Sequence, residues 1–512
     1  MYHPRVSTEI SHHNNTSHND MIEKQSSQSL YGQNDYTNDY GSSRYEHSIG
    51  YSENDQPMST EERALVRKID FFVMPIICTI NLLQFIDKST INYAGVMGFQ
   101  KDIGLVDNQF SLLGSIFYLG YLLYQLPNNY FLQRFSVGRY IGCIVFIWGA
   151  ILACTATGTN FSQMAALRFL LGFFEAGIYP CLTLLVSTFY RRHEQAARLG
   201  AFWLCNGIAL IVGGLISYGI GRMDDTKGLY NWQWIMIILG CITSFVGLFS
   251  FFFLIDNPKS RALNLNAEQE ILVEERTRDN AVVRTTTIKR DQIIEAVKEV
   301  RFWCFCIACL LINLQNGAMT IYNAQITEGF GFTGLDSILL TIGAGGSTVL
   351  FIVLGVWCVN KTQQTLYTAC GLMAIDIVGL ILLLAIPTPK VKLVGFYMAW
   401  SYCAAYVLLV TSISNNVSGY TKKIFYNGLL MVFYTLGNFC GPLMMVSTQA
   451  PNYTGGMIGY MCANVVVVCL LLVARWRMSI VNKRRMMKPS SILTNVEDDL
   501  SDVQDTNFLY RL

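Results

Sequence analysis

Windows of about twenty apolar residues recur between residues 71 and 476, separated by shorter polar stretches. A helix needs about this length to cross the hydrocarbon core of a bilayer. The pattern therefore predicts twelve membrane-spanning helices, six on each side of a longer hydrophilic segment. The first six are at residues 71–93, 108–131, 138–157, 161–189, 197–221 and 232–255. The second six are at residues 301–326, 336–359, 365–386, 391–415, 425–447 and 454–476.

The hydrophilic segments give the domain organisation. Residues 1–65 are rich in Ser, Asn, Tyr and His, so we expect a disordered N-terminal tail there. Two six-helix lobes, 66–255 and 301–477, flank a charged loop, 256–300, in which the stretch "NAEQEILVEERTRDN" has helical spacing. A tail, 478–512, completes the chain. The prediction is an all-α integral membrane protein of two six-helix lobes, with a substrate site near the midplane between them.

Composition narrows the class of function. Hydrophobic residues make up 52% of the 512 residues and charged residues 14%, against about 25% charged in soluble domains. The net charge of +2 and the scattered basic residues give no reason to expect nucleic-acid binding. All six histidines lie outside the predicted spans, and the chain has no phosphate-binding loop of the type G-x-x-x-x-G-K-[ST]. We expect a monomeric transporter rather than an enzyme, without a cofactor other than a coupling proton.

The distribution of basic residues predicts the orientation. If both termini are cytoplasmic, most of the lysines and arginines of the short loops fall on the inner side, as the positive-inside rule requires. The inner set is Arg63, Arg67, Lys68, Arg134, Arg139, Arg191, Arg192, Arg198, Lys361, Lys422, Lys423 and the basic run 475–488, and the outer set is Lys101, Arg222, Lys227, Lys390 and Lys392.

Two opposite charges interrupt the fourth predicted span, "ALRFLLGFFEAGIYP". Arg168 and Glu175 are seven residues apart, so they fall on nearly the same helix face, and Tyr179 lies on that face as well. Ionisable residues inside a membrane span face the protein interior and mark substrate or ion pathways. We expect Arg168 to attract an anionic substrate and Glu175 to take a proton. The alternative is a buried ion pair that locks helices together.

The first and ninth spans carry further charges. In "LLQFIDKSTIN" we favour Asp87 as the residue that faces the cavity and expect Lys88 to reach toward the interface. A role for Asp87 in tethering helices is an equal alternative. Asp376 has no partner nearby in the sequence, so it could titrate as part of the function, or a polar group on a neighbouring helix could hold it.

Uncharged polar residues follow one face of the seventh and eleventh spans. Asn313, Asn316 and Asn323 have helical spacing in the seventh, as do Tyr434 and Asn438 in the eleventh. Such a stripe lines either a wet cavity or a hydrogen-bonded seam between helices. We favour a cavity for the seventh span, and both interpretations stay open for the eleventh. The motif "GNFCGP" at 437–442 predicts a bend or break, and the glycines of the fifth span predict close helix packing.

The sequence resembles the major facilitator superfamily, within its anion:cation symporter branch, and in particular the fungal allantoate permease family. The resemblance covers most of residues 65–480. It rests on the blocks "FIDKSTINYAGVMG", "LRFLLGFFEAGIYP", "STFYRRHEQAARLGAFW" and "GYTKKIFYNGLLMVFYTLGNFCGP".

The resemblance implies proton-coupled uptake of a small carboxylate, such as allantoate, ureidosuccinate or nicotinate, across the plasma membrane. It carries Asp87, Arg168 and Glu175 over as functional residues. Two features depart from the superfamily pattern. The G-x-x-x-D-[RK] motif between spans two and three is reduced to "NYFLQRFSVGR", and the fifth span lacks the proline typical of antiporters.

These residues suggest a mechanism of charge exchange. Arg168 and Glu175 would pair in the empty protein, and the substrate carboxylate would compete for Arg168 and free Glu175 to accept a proton. A nutrient sensor that does not transport, and an exporter on the same scaffold, stay as alternatives.

Overall fold

The computed structural model describes residues 59–223, 228–280, 289–487 and 499–512. Their regular secondary structure is helical, and ten helical stretches are long and apolar enough to cross a membrane. The prediction of an all-α membrane fold is confirmed.

The first half of the chain supplies eight helices. They are α1 (Thr60–Val96), α2 (Phe99–Asp102), α3 (Gln109–Arg134), α4 (Val137–Cys154), α5 (Phe161–Glu175), α6 (Ile178–Phe189), α7 (Arg192–Gly221) and α8 (Asn231–Phe253). Helices α5 and α6 together form the fourth predicted span, and α2 is a short turn after the first.

The central loop contains α9 (Ala267–Asn280) and α10 (Arg290–Lys298), and α9 lies where helical spacing was noted. The second half follows with α11 (Val300–Glu328), α12 (Gly334–Thr362), α13 (Thr365–Ala385), α14 (Lys392–Met398), α15 (Tyr402–Asn416), α16 (Tyr420–Leu443) and α17 (Thr454–Met487). Helices α14 and α15, joined by the 3-10 turn Ala399–Ser401, form the tenth span.

The second and eleventh predicted spans are the helices α3 and α16. Neither is among the ten stretches that are long and apolar enough to cross a membrane. Both carry polar side chains that pack inside the protein, where lipid does not reach them. Examples are Ser111, Ser115 and Asn128 on α3, and Thr421, Lys422 and Asn438 on α16.

The fourth span is interrupted between Glu175 and Ile178. Pro180 explains the interruption, because proline has no N–H to donate to the carbonyl of Ala176 and its ring crowds that carbonyl. Glu175 is therefore the last residue of α5, at a break in a membrane helix. Broken helices are tolerated at membrane depth where they are buried in protein or line a cavity, and in transporters they often lie at the substrate site.

The two halves meet through α1 with α11, α3 with α16, and α7 with α12. We call the side that holds the start of α1 and the end of α17 the terminal side. The halves are hydrogen-bonded on the opposite side: Asn92 Oδ1 accepts from Ala324 N at 2.7 Å, and Ser111 Oγ lies 2.5 Å from Tyr322 Oη. The structure is therefore closed between the halves on the side away from the termini.

Small residues allow the closest helix crossings. A Cβ atom on Gly172 of α5 would lie 1.9 Å from the carbonyl oxygen of Phe117 on α3. The glycines of the fifth span act in the predicted way, since a Cβ on Gly207 would meet α12. The expected break at 437–442 is wrong, because α16 continues to Leu443. Gly441 instead packs against α11, where a Cβ would lie 2.0 Å from the carbonyl oxygen of Leu314.

Two segments outside the spans cover the terminal side. Helix α9 packs on α1 and α6 of the first half. Helix α17 continues to Met487, eleven residues past the predicted end of the last span, and residues 499–512 pack against the second half. The predicted N-terminal tail, 1–65, lies outside the described residues up to residue 58, and α1 already begins at Thr60.

Candidate functional site

A buried ion pair lies at the centre of the first half. Lys88 Nζ on α1 is 3.2 Å from Glu175 Oε1 at the end of α5. The glutamate side chain is fully buried, whereas the lysine side chain keeps 11% of its surface exposed. The structure thus corrects the expectation that Lys88 reaches toward the interface: it points inward and holds Glu175.

Asp87 lies on the neighbouring side of α1 and is fully buried. Its Oδ2 accepts a hydrogen bond from Thr243 Oγ1 on α8 at 2.7 Å. The indole of Trp148 on α4 lies beside it, yet Asp87 Oδ1 and Trp148 Nε1 have no partner with hydrogen-bond geometry among the described residues. Lys88, not Asp87, is therefore the member of the pair with exposed surface.

Arg168 on α5 forms no direct ion pair with a carboxylate among the described residues. The residue is 2% exposed, and its Nε and Nη2 have no hydrogen-bond partner among the described residues. Glu175 and Asp87 both lie close enough to interact with it electrostatically. The expected Arg168–Glu175 contact is thus replaced by a lysine–glutamate contact, with the guanidinium as a nearby, unpaired positive charge.

Aromatic side chains enclose the ion pair. Lys88 Nζ lies 5.5 Å from the ring centroids of both Phe117 and Tyr121 on α3. This is within the range of a cation–π interaction. From the second half, Tyr434 is close enough to interact electrostatically with Lys88 and Glu175. The site is therefore built by both halves of the molecule.

A chain of rings connects the halves beside this site. Centroid distances are 6.2 Å from Tyr179 to Trp203, 5.3 Å from Trp203 to Tyr406, and 5.8 Å from Tyr406 to Tyr434. Tyr179 and Tyr434, both predicted as substrate-binding residues, thus stand at the two ends of one aromatic row. Both are half-buried.

The predicted amide stripe forms a seam between α11 and α16. Asn316 Nδ2 donates to Asn438 Oδ1 at 2.7 Å, and Asn438 Nδ2 donates to Asn313 Oδ1 at 3.1 Å. Tyr402 Oη also donates to Asn316 Oδ1 at 3.2 Å. Asn313 and Asn438 are fully buried, whereas Asn316 keeps some exposed surface. Of the three, Asn316 is the residue with exposed surface.

Asn323 lies away from this seam, where the two halves close. It is fully buried, and neither its amide nitrogen nor its amide oxygen has a partner among the described residues. It follows Tyr322, which contacts Ser111 of the first half, and precedes Ala324, which donates to Asn92. The residues on both sides of Asn323 in the sequence thus hydrogen-bond to the first half.

Asp376 is held by neutral groups. Gln315 Nε2 on α11 donates to its Oδ1 at 2.8 Å, and Asn464 Nδ2 on α17 donates to its Oδ2. Gln315 also donates to the carbonyl oxygen of Ala399 at 3.0 Å. The expected polar partner on a neighbouring helix is thus present twice, and the three side chains join α11, α13 and α17.

The described chain matches a known family over most of its length. Residues 77–442 match the model of the Major Facilitator Superfamily. The protein belongs to the Major Facilitator Superfamily. It is accordingly a membrane transporter by family, and the resemblance drawn from its sequence blocks is confirmed.

Relatives within this superfamily are fungal transporters. An uncharacterized transporter of Schizosaccharomyces pombe, C417.10, is 31% identical over 88% of this chain and 90% of that protein. The allantoate permease of Saccharomyces cerevisiae is 29% identical over 88% of this chain and 87% of that protein. The thiamine pathway transporter THI73 of the same yeast is 29% identical over 87% of this chain and 86% of that protein.

The solved structures with this fold include the inward open conformation of the xylose transporter XylE from E. coli. It aligns with a TM-score of 0.62 at 13% identity, covering 78% of this chain and 95% of that chain. At this identity the likeness concerns the superfamily fold alone.

The structure of this superfamily member brings three carboxylates together outside the spans. Glu295, Glu299 and Asp502 each offer an oxygen within 4.8 Å of the others. Lys422 and Arg301 form ion pairs inside this group, so its positive charge already comes from side chains. The group is a salt-bridge cluster, and its donor set does not point to a metal.

Sequence reasoning undervalued Lys88 and missed Tyr121 and Phe117. A lysine beside an aspartate near the end of a span is commonly a residue that reaches for the interface. The spacing along α1 could have indicated this role. Lys88 lies four residues after Gln84, which is buried beside Glu175, so Gln84 and Lys88 share the helix face that contacts Glu175.

Proposed function

We propose that this transporter is a proton-coupled symporter that imports a small organic anion across the plasma membrane. Both termini would lie in the cytoplasm, the protein would act as a monomer, and transport would proceed by alternating access of the site between the halves. The observation that carries the proposal is the buried set of four ionisable groups around Lys88 and Glu175.

Charge balance favours this coupling. Lys88 and Arg168 contribute two positive charges to the first half, and Asp87 and Glu175 contribute two negative charges, so the ionised set is neutral. Uncompensated charge at this depth costs on the order of 2.5–3.5 kcal/mol or more per group. An anionic substrate adds one negative charge to the set. One proton on a buried carboxylate restores neutrality, which makes anion and proton binding mutually favourable.

The geometry suggests how the exchange occurs. A substrate carboxylate reaches Lys88 through its exposed 11% and takes the place that Glu175 occupies at 3.2 Å. Glu175, once released, is a carboxylate buried without its cation, and it then favours the protonated form. Arg168 compensates the remaining negative charge of the set during the exchange, because it is close enough to interact electrostatically with Asp87.

The walls of the site favour a flat substrate. Phe117, Tyr121 and Tyr434 surround the cation with rings, and Asn316 offers an amide at the second half. A carboxylate attached to a planar ureido, amide or ring system could stack on these rings while its charge meets Lys88. Allantoate, ureidosuccinate and nicotinate have this chemistry. The name of the related allantoate permease gives independent support for the first of them.

Uptake measurements test the proposal. Labelled allantoate, ureidosuccinate, nicotinate and pantothenate would be offered to permease-deficient fungal cells that express the protein, at about pH 5 and pH 7.5. We expect accumulation of at least one compound that is faster at the lower pH and collapses with a protonophore. Binding to the purified protein without accumulation would instead identify a sensor, and outward movement from preloaded cells would identify an exporter.

The Glu175→Gln variant separates coupling from binding. Glutamine removes the titratable group and keeps a similar shape, so we expect uptake that no longer depends on pH, together with retained substrate binding. The matched control is Glu328→Gln, a carboxylate at the end of α11, well away from the site. Uptake by Glu175→Gln with the pH profile of the wild type would refute proton transfer through this residue.

A further inference from the structure

Residues 499–512, which we call the strap, are attached to the terminal-side ends of the second half. Thr365 N, at the start of α13, donates to the backbone oxygen of Leu512 at 2.7 Å. The remaining attachments pair backbone with side chains: Arg511 N to Asn416 Oδ1, Tyr510 N to Asn482 Oδ1, and Tyr420 N to Asp499 Oδ1. The strap thus joins α13, α15, α16 and α17.

The strap also inserts a charge between two buried cations. Asp502 is fully buried, with Oδ2 at 2.7 Å from Arg301 Nη2 and Oδ1 at 2.9 Å from Lys422 Nζ. Arg301 begins α11, and Lys422 begins α16. Removing one partner from such a buried pair leaves uncompensated charge, which is strongly unfavourable. Asp502 therefore anchors the strap to two membrane helices.

Acid does not release this anchor in the physiological range. Burial acts to raise the pKa of Asp502, but Arg301 and Lys422 outweigh it and hold that pKa below its ordinary value of 3.8. The carboxylate is therefore ionised, and the anchor is complete, at any pH well above 3.8. Release requires a different change of charge.

Ser501 is the place where such a change would act. It is fully buried, and its Oγ donates to Glu295 Oε2 at 2.9 Å and accepts from Gln504 N at 3.2 Å. Glu295 belongs to the same cluster as Glu299 and Asp502. The hydroxyl of Ser501 thus touches Glu295, one of three neighbouring carboxylates that form ion pairs with Lys422 and Arg301.

We propose that Ser501 is a phosphorylation site and that its phosphorylation releases the strap from the second half. A protein kinase would transfer the γ-phosphoryl group of ATP to Oγ, with ADP leaving and the hydroxyl proton passing to solvent. The product carries about 1.5–2 negative charges and places them against Glu295. Ser501 is fully buried in the docked position, and the two cations of the adjacent cluster, Lys422 and Arg301, are already paired with its carboxylates. Docking is then opposed by like-charge repulsion and by desolvation.

The sequence around the serine suits this modification. "EDDLSDVQD" carries five acidic residues, a pattern that a kinase with a basic substrate groove would bind. The enzyme would capture the strap when it is transiently undocked, and the phosphate would prevent its return. This is a shift of population between two states that differ in affinity for the modified side chain.

Hydrogen exchange on the full-length protein in lipid nanodiscs tests the proposal. Phosphoserine would be placed at position 501 during translation, and mass spectrometry would follow the amides of residues 499–512. We expect exchange about tenfold faster, or more, than in the unmodified protein, since like charges at contact distance repel strongly in a buried site. The Ser501→Asp variant should show a smaller acceleration of the same kind. The matched control is Thr506→Asp, which adds a charge at an exposed position of the same strap.

Two results would overturn the proposal. One is exchange of the phosphorylated strap at the rate of the unmodified strap, which would mean that the cluster accommodates the phosphate. The other is equally fast exchange in the unmodified protein, which would mean that the strap is not docked. The measurement needs no substrate, so its outcome is independent of the proposed symport.

Discussion

The two halves of this transporter bury their polar groups in different ways at corresponding helices. In the first half, Asp87, Trp148 and Thr243 lie together on α1, α4 and α8, and Asp87 interacts electrostatically with Glu175 and Arg168. In the second half, the equivalent places on α11, α13 and α17 are Gln315, Asp376 and Asn464, and both oxygens of Asp376 accept hydrogen bonds. A buried ionisable group that carries its charge beside other charges is suited to binding and proton exchange, whereas one held by neutral amides is suited to joining helices. The comparison therefore agrees with the proposal that proton and anion chemistry belongs to the first half.

On the terminal side, the segments that cover the two halves contribute charges of opposite sign. Helix α9 covers the first half by placing Arg276 against two carboxylates, at 2.6 Å from Glu62 Oε1 and in contact with Glu194. The strap covers the second half by placing the carboxylate of Asp502 between Arg301 and Lys422. Both covers therefore rest on contacts between cations and carboxylates, and they differ in which of the two the covering segment supplies.

Removal of Lys88 gives the largest expected effect, since it takes away the cation that pairs with Glu175 in the first half. Lys88→Met leaves Glu175 buried without its cation, a loss of about 3–5 kcal/mol if the carboxylate stays ionised. We expect uptake to fall by about a hundredfold or more because the substrate loses its cation. The measurement is uptake together with the thermal unfolding temperature of the purified protein.

The double variant Lys88→Met/Glu175→Gln sharpens this result. Removing both charges should return most of the stability while transport stays lost. Lys101→Met, a change at an exposed lysine on α2, is the control. If the double variant is as unstable as the single one, the 3.2 Å contact is not the main interaction of Glu175.

Asp376 should show the opposite pattern. Asp376→Leu leaves Gln315 and Asn464 with buried donors unsatisfied, at about 1–3 kcal/mol for each donor. Asp376→Asn preserves the shape and costs about 1 kcal/mol. We expect lower thermal stability for the leucine variant, and an uptake pH profile like that of the wild type for the asparagine variant. A changed pH profile in Asp376→Asn would show that Asp376 takes part in proton coupling, and the proposed division of roles between the two halves would be wrong.

Features that depend on local sequence patterns could be predicted, whereas contacts between residues far apart in the sequence could not. The apolar windows, the charge pair on one face of the fourth span and the amide spacing are local patterns. The windows predicted helices correctly, whereas the expected Arg168–Glu175 contact is replaced by Lys88–Glu175 and the favoured cavity of the seventh span is a hydrogen-bonded seam. The partner of Glu175 could not be predicted from the sequence. Arg168 lies on the same helix and Lys88 on another, and tertiary packing decides which of the two cations contacts the carboxylate. The seam between Asn316 and Asn438 depends on how α11 crosses α16, and the role of Gly441 was hidden by its nearness to Pro442. The strap joins residues more than a hundred positions apart, such as Asp502 and Arg301, which no local pattern connects.

The close helix crossings test whether the halves share the same scaffold. A methyl group at Gly172 would meet the carbonyl oxygen of Phe117 at 1.9 Å, and one at Gly441 would meet that of Leu314 at 2.0 Å. Each alanine substitution should force its helices apart and cost about 1–3 kcal/mol. We expect similar losses of thermal stability for Gly172→Ala and Gly441→Ala. Uptake should suffer more in Gly172→Ala because Glu175 lies three residues further along α5, and equal transport defects would argue against a site centred in the first half.

Acid should weaken the attachment of the strap, with the smallest effect of the series. The pKa of Asp502 is lowered in the folded protein, so its contribution to stability is complete well above 3.8 and is lost as the pH falls below that value. We expect hydrogen exchange in residues 499–512 to accelerate as the pH falls below 3.8, after correction for the intrinsic rate. Exchange in α9 is followed in the same samples for comparison. In Asp502→Asn the strap should exchange faster at neutral pH and lose its additional acid sensitivity. If the acid response persists unchanged in that variant, the strap is held by its backbone contacts with Asn416 and Asn482, and the charge of Asp502 is secondary.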